Sequence, residues 1–169
     1  MAVQATLPTP EIYSPIGVDL TKTHSSAQFK LGAVAKGSYG QEYMYVQSSG
    51  AHALGALVAI DENFVSRSAT TTIAKLANKP GWAQIAFTDG AYGWVATAGS
   101  KLYGKMKDNT AADAQLFTSN SVGIMATVNS AGAPVMIAGC RNVGLSSGAG
   151  AAYEIFAVNP HFIVVETME

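Results

Sequence analysis

One cysteine and three histidines are the side chains best suited to do chemistry in this sequence of 169 residues. Cys140 precedes Arg141, and a neighbouring cation lowers the pKa of a thiol, so a nucleophilic cysteine assisted by His52 or His161 is one hypothesis. The alternative is a small buried cysteine, because Cys140 ends the apolar run "APVMIAGC". That run favours the buried cysteine over the nucleophile.

Metal and phosphate chemistry is not indicated either. His24, His52 and His161 are scattered, without the close spacing of a metal-binding pair. Asp61-Glu62-Asn63 lacks the periodic oxygen ligands of a calcium loop. The turns "GSYG" and "SSGAGAA" lack the Lys-Ser/Thr pair of a phosphate-binding loop. We therefore expect no catalytic residue, no metal site and no cofactor.

The composition narrows the range of partners. Charged residues make up 12% of the chain, hydrophobic residues 49%, and the net charge is -1. Nucleic-acid-binding proteins carry a basic surface that this balance does not provide. No run approaches the roughly 20 apolar residues of a membrane helix, and the first residues do not resemble a secretory signal. We expect neither a nucleic-acid nor a membrane partner.

Charge is scarcest between residues 114 and 153, where Arg141 is the only Asp, Glu, Lys or Arg. A surface with so few charges is poorly protected from self-association. One interpretation is a surface solvated by Ser, Thr and Asn, including Ser119 and Ser146. The other, which we prefer, is that much of this stretch contacts another subunit.

Residues 1–27 are predicted to form an extended N-terminal arm, because Pro8, Pro10 and Pro15 interrupt both helices and central strands. The arm is either a disordered tail or a segment that orders against a partner. Its apolar residues suggest the second alternative. Together with Arg141, the predicted interface residues are Leu7, Ile12, Tyr13, Ile16 and Val18.

Residues 28–169 are predicted to form a single all-β domain, either a β-sandwich or a β-barrel. Short apolar runs rich in Val, Ile, Tyr, Phe and Thr recur between Gly, Ser, Asn and Asp residues, which is typical of many short strands. One short helix is expected in "TTTIAKLANKPG", and "NTAADAQL" is expected to be a loop.

An internal repeat also points to sheet structure. "YMYVQSSGAHALGAL" (43–57) aligns with "YGWVATAGSKLYGKM" (92–106) at an offset of 49 residues. Gly50 and Gly99 align and are predicted to adopt a positive φ at a turn, so each segment is predicted to be a hairpin. Trp94 lies in an apolar strand, where a core position is more common than a ligand platform.

The tyrosine-rich strand, the strand with Tyr-Gly-Trp and the final "AVNPHF" resemble the head decoration, or capsid cement, proteins of tailed bacteriophages. This resemblance covers most of residues 29–163. It implies a non-catalytic, β-rich virion protein, commonly a homotrimer, made in the host cytoplasm. Such a protein binds the major capsid protein on the outer capsid surface and stabilises the lattice. The proline-containing arm has no counterpart that we can place.

Two other functions remain open. The first is a receptor- or glycan-binding β-module of a virion, which would be favoured by an exposed Trp94. The second is an enzyme that uses Cys140 with His52 or His161.

Overall fold

The structure, a computed structural model, describes residues 18–76, 78–107, 110–127, 135–148 and 150–165. These residues form ten β-strands and one helix of four residues, which confirms the predicted all-β domain. The elements in chain order are β1 (Val34–Lys36), β2 (Glu42–Ser48), β3 (Leu57–Ile60), β4 (Val65–Ser68), α1 (Thr71–Ala74), β5 (Lys79–Ala83), β6 (Tyr92–Lys105), β7 (Gln115–Thr118), β8 (Met125–Ala126), β9 (Val135–Asn142) and β10 (Ala152–Val164).

Five of the strands close into a small barrel. The strands are ordered β1-β2-β4-β3-β5-β6-β10-β9-β7-β8, and an additional pairing of β2 with β6 joins the ends of the run β2-β4-β3-β5-β6. Only the short β2–β4 pairing in this ring is parallel. Closure removes the free strand edges that would otherwise pair with other chains.

Two hydrophobic clusters lie on opposite faces of the barrel strands. In β3, Leu57 belongs to the larger cluster and its neighbour Val58 to the smaller one, because successive side chains point to opposite faces. Every residue of β3 is buried, so both of its faces are covered. The smaller cluster consists of Val46, Val58, Ile60, Ala83, Phe87, Ala91 and Val95.

The strand β6 connects the barrel to the second half of the sheet. Its first half pairs with β2 as far as Ala98, and from Gly99 onward it pairs with β10. Gly99 has a φ of 119°, and a Cβ atom there would lie 2.4 Å from the Cα of Gln41. The strand can change partners here because Gly99 has no side chain and tolerates a positive φ.

The second half of the sheet curls around the larger cluster. β10 pairs with β9, β9 with β7, and β7 with β8. An isolated bridge between Met106 and Met125 connects β8 back to the end of β6. β10 bulges between Ala157 and His161, where Asn159 has a φ of 44°, a region that asparagine enters more readily than most residues.

The predicted pair of hairpins is not observed. Residues 92–105 form one continuous strand, so the hairpin prediction for this segment is wrong. The two repeat segments instead pair with each other, with Tyr45 opposite Trp94. The predicted positive φ is confirmed at both glycines, since Gly50 has a φ of 98° and Gly99 one of 119°.

The predicted helix is present but very short. α1 begins after Thr70, whose side-chain hydroxyl accepts a hydrogen bond of 3.3 Å from the backbone N–H of Ile73. Pro80 and Gly81, expected to follow the helix, belong to β5. The nearby strands therefore limit α1 to a single turn.

Candidate functional site

Of the residues predicted to form an interface, the structure describes Val18 and Arg141, whereas Leu7, Ile12, Tyr13 and Ile16 lie outside the described residues. Val18 is partly buried and packs against the larger cluster of its own chain. Arg141 is exposed, and its Nη1 donates a hydrogen bond of 2.7 Å to the carbonyl oxygen of Asp113. That these residues contribute to an interface stays a prediction.

The last part of the predicted arm, residues 18–27, contacts the domain. Leu20 is fully buried in the larger cluster. The backbones of His24 and Tyr92 exchange two hydrogen bonds of 2.8 Å, which attach this segment to the start of β6. The division between arm and domain at residue 27 stays a prediction, but the domain already receives core side chains from residue 20 onward.

The charge-poor stretch exposes large apolar side chains where the structure describes it. Val122, Val143 and Leu145 are 63%, 48% and 69% exposed. By contrast, Ser119 and Ser146 are buried, and their hydroxyls bond to backbone groups. Two of the polar side chains expected to solvate this surface are therefore buried and hydrogen-bonded within the protein.

A further large apolar side chain is exposed outside this stretch. Leu76, just after α1, is as exposed as Val122. The residue after Val122 contacts the connection that precedes α1, because the N–H of Gly123 bonds to the carbonyl oxygen of Ala69 at 2.9 Å. We call Leu76, Val122, Val143 and Leu145 the apolar surface residues.

Cys140 does not have the surroundings of a nucleophile. Its side chain is 1% exposed, and burial raises the pKa of its thiol, which disfavours the thiolate. The ring nitrogens of His52 bond to serine hydroxyls, and Nδ1 of His161 lies 3.1 Å from the carbonyl oxygen of Asn159. Within the described part of the chain, no hydrogen bond joins Cys140 to a histidine, and the geometry favours the buried cysteine.

His52 is a buried polar group at one end of the barrel. Its Nδ1 lies 2.8 Å from Oγ of Ser68, and its Nε2 lies 3.1 Å from Oγ of Ser66. Burial lowers the pKa of His52, and hydrogen bonding and the charge of Asp89 offset this effect only in part. Sequence reasoning missed this cluster, although Ser66 and Ser68 alternate along one strand and therefore share a face.

Trp94 does not provide an exposed platform for a sugar. It is 2% exposed, and its ring centroid lies 5.2 Å from that of Phe29 and 5.1 Å from that of Tyr45. Rings at this separation pack as a core cluster. A glycan-binding function would therefore require a different surface.

A groove of about 410 Å³ lies across the middle of β6, and we call it the β6 groove. Its floor is Thr97–Gly99, and its lining residues are Tyr39, Gly40, Glu42, Lys79, Thr97, Ala98, Gly99, Phe156, Ala157, Val158, Asn159 and Pro160. The bulge of β10 forms one wall, and the turn before β2 forms the other. Sequence reasoning missed the groove because it depends on the pairing of distant strands.

A metal site needs a group of ligating side chains, and a membrane-spanning helix needs a long apolar run. None of their His, Cys, Asp and Glu side chains form a group of three or more that could hold a metal ion. No helix in this part of the chain has the length and apolar character needed to span a membrane.

Comparison with known proteins gives no family. No model of a known protein family matches the chain, and no curated protein matches it. A functional interpretation therefore depends on the residues themselves.

Proposed function

We propose that this chain is a structural decoration protein of a phage capsid, which acts as a homo-oligomer and binds the outer surface of the capsid lattice. The observation that carries the proposal is the exposure of the apolar surface residues on a chain with very little charge. Monomeric proteins rarely expose large contiguous apolar patches, and such patches commonly mark contacts with other proteins. A protein partner, rather than a small substrate, suits this surface best.

The positions of the segments that resemble decoration proteins also support the proposal. "YMYV" lies in β2, "AYGWVATAGSKLYGKM" covers β6, and "AVNPHF" lies in β10. β6 pairs with both β2 and β10, so these segments form the centre of the sheet. The resemblance thus concerns the framework of the domain and leaves the surface free to vary.

Stabilisation of a capsid by such a protein needs no chemistry. Each contact that buries apolar area contributes about 25 cal/mol per Å² before the costs of association. A homo-oligomer that touches several capsid subunits at once gains avidity, because the second contact is intramolecular. Opening the lattice would then require the loss of all these contacts together.

The test is co-sedimentation of the full chain with empty capsids of the phage that encodes it. The expected result is saturable binding and a higher temperature of capsid disruption. Val143→Ser combined with Leu145→Ser is expected to weaken binding or self-association, whereas the control Leu54→Ser, at an apolar residue exposed in another loop, leaves both unchanged. A full-length protein that stays monomeric and does not sediment with capsids would contradict the proposal.

A further inference from the structure

The β6 groove gathers exposed apolar side chains from two distant parts of the sequence. Tyr39, Phe156 and Val158 are 40%, 44% and 56% exposed and line opposite walls. Phe156 and Val158 are on the outward face of β10, and Tyr39 is in the turn before β2. Apolar walls on two sides suit a narrow ligand that contacts both.

The groove also carries an excess of positive charge. Lys79 lines it, and Nζ of Lys101 lies 5.2 Å from the centroid of the Tyr39 ring. Among the described residues of the lining, Glu42 is the only carboxylate, and it already pairs with Lys36. Neither Lys79 nor Lys101 forms an ion pair with another described residue. A ligand with one carboxylate next to apolar groups would complement this arrangement.

The backbone of the floor is already in use. Ala98 pairs with Glu42 of β2, and Gly99 pairs with Ala157 of β10, so the floor is already paired with strands of this chain. We therefore expect a ligand to bind the floor through its side chains rather than as an added strand. Proline, which lacks an N–H donor, loses nothing in such a site.

One segment of this chain has that chemistry. Residues 7–16 read "LPTPEIYSPI", with three prolines, several apolar residues and Glu11 as the only charged side chain. We propose that the β6 groove binds this segment from a second copy of the chain, with Glu11 beside Lys79 and Lys101 and with Ile12 and Tyr13 against the apolar walls. This inference goes beyond the capsid proposal, because it concerns contact between copies and holds whether or not a capsid binds.

The length of the arm permits the exchange. The backbone hydrogen bonds of His24 to Tyr92 attach the chain at the start of β6. Glu11 lies nine positions before Leu20 in the sequence. Nine residues span on the order of 30 Å when extended, at about 3.3 Å per residue. Glu11 can therefore reach well outside its own domain.

Cysteine cross-linking of the full chain tests which groove the segment occupies. Ile12→Cys combined with Val158→Cys is expected to form a disulfide between two chains under mild oxidation, seen as a covalent oligomer on a non-reducing gel. Ile12→Cys with Ser147→Cys, an exposed position elsewhere, is the control and should cross-link far less. A disulfide within one chain, or equal cross-linking in the control, would overturn the proposal.

A charge exchange tests the same contact without cross-linking. An exposed ion pair contributes up to about 1 kcal/mol, which corresponds to about a fivefold change in Kd. Glu11→Lys alone, or Lys79→Glu with Lys101→Glu, is expected to weaken self-association several-fold, and combining all three should restore it. The control Lys30→Glu, at an exposed lysine outside the groove lining, should have no effect.

Both experiments measure contact between copies and need no capsid. Failure of the charge exchange to restore association would refute the groove contact and leave capsid binding to be judged by co-sedimentation. Phe156→Ser tests the apolar wall of the groove, and because Phe156 is 44% exposed, we expect this variant to fold. We expect it to raise the Kd of self-association about tenfold or more, from the burial of an aromatic side chain.

Discussion

Replacing Gly99 with alanine tests whether the change of pairing partner in β6 depends on the absence of a side chain. Two costs are expected. The first is the positive φ of 119°, which costs a residue other than glycine about 1–3 kcal/mol. The second is the Cβ atom itself, which would lie 2.4 Å from Cα and 2.8 Å from N of Gln41.

The second cost is large because the added Cβ atom would meet backbone atoms, which cannot move aside as a flexible side chain can. Carbon atoms in contact are normally about 3.5–4.0 Å apart, so the chain around Gln41 would have to move by roughly 1 Å. Overpacking of this kind typically costs a further 1–3 kcal/mol. Together we expect Gly99→Ala to lower the free energy of unfolding by about 2–6 kcal/mol.

Gly50 provides a matched control in the aligned position of the sequence repeat. Its φ is 98°, but a Cβ atom there would meet nothing within 4 Å. Gly50→Ala should therefore carry only the conformational cost of about 1–3 kcal/mol. The difference between the two variants isolates the close approach of Gly99 to Gln41.

Urea denaturation followed by tryptophan fluorescence measures this difference. With a slope of about 1–3 kcal/mol per M, an extra 2 kcal/mol moves the midpoint by about 1 M. Equal midpoints for Gly99→Ala and Gly50→Ala would refute the idea that Gln41 leaves no room for a side chain at position 99.

Three further predictions concern His52, Cys140 and the N-terminal segment. The ordinary pKa of histidine is about 6.5, and burial lowers that of His52. As the pH falls below about 6.5, the urea midpoint should fall, because His52 binds a proton more readily in the unfolded chain than in the folded one. His52→Gln should make the midpoint less dependent on pH, and an unchanged pH dependence would contradict a lowered pKa of His52. The thiol of Cys140 should resist iodoacetamide in the folded protein and react on unfolding, whereas rapid native alkylation would revive the nucleophile hypothesis. Deletion of residues 2–17 should leave the urea midpoint unchanged. By contrast, Leu20→Ala should lower the free energy of unfolding by about 2–5 kcal/mol, because Leu20 lies in the core.

Local patterns predicted the strands well. The alternation in "YMYV" and the apolar run around Trp94 correspond to β2 and β6, and the aligned glycines have the expected positive φ. These features depend on neighbouring residues, whose sterics and periodicity can be read directly from the sequence.

Features that depend on distant pairing could not be predicted in the same way. The sequence does not show that Gly99 meets Gln41 or that the two repeat segments pair with each other. His52 lies in a short connection whose burial follows from its bridge to Phe87, and that bridge requires the closed barrel. The β6 groove has the same origin, because the bulge of β10 defines one of its walls.

The central claim is that this protein functions by binding other protein molecules. Light scattering of the full-length protein, alone and with the empty phage capsids proposed as its partner, tests this claim most directly. The account predicts a mass of several chains for the free protein and its saturable uptake onto capsids. A single-chain mass that persists at high concentration, together with no uptake by capsids, would contradict it.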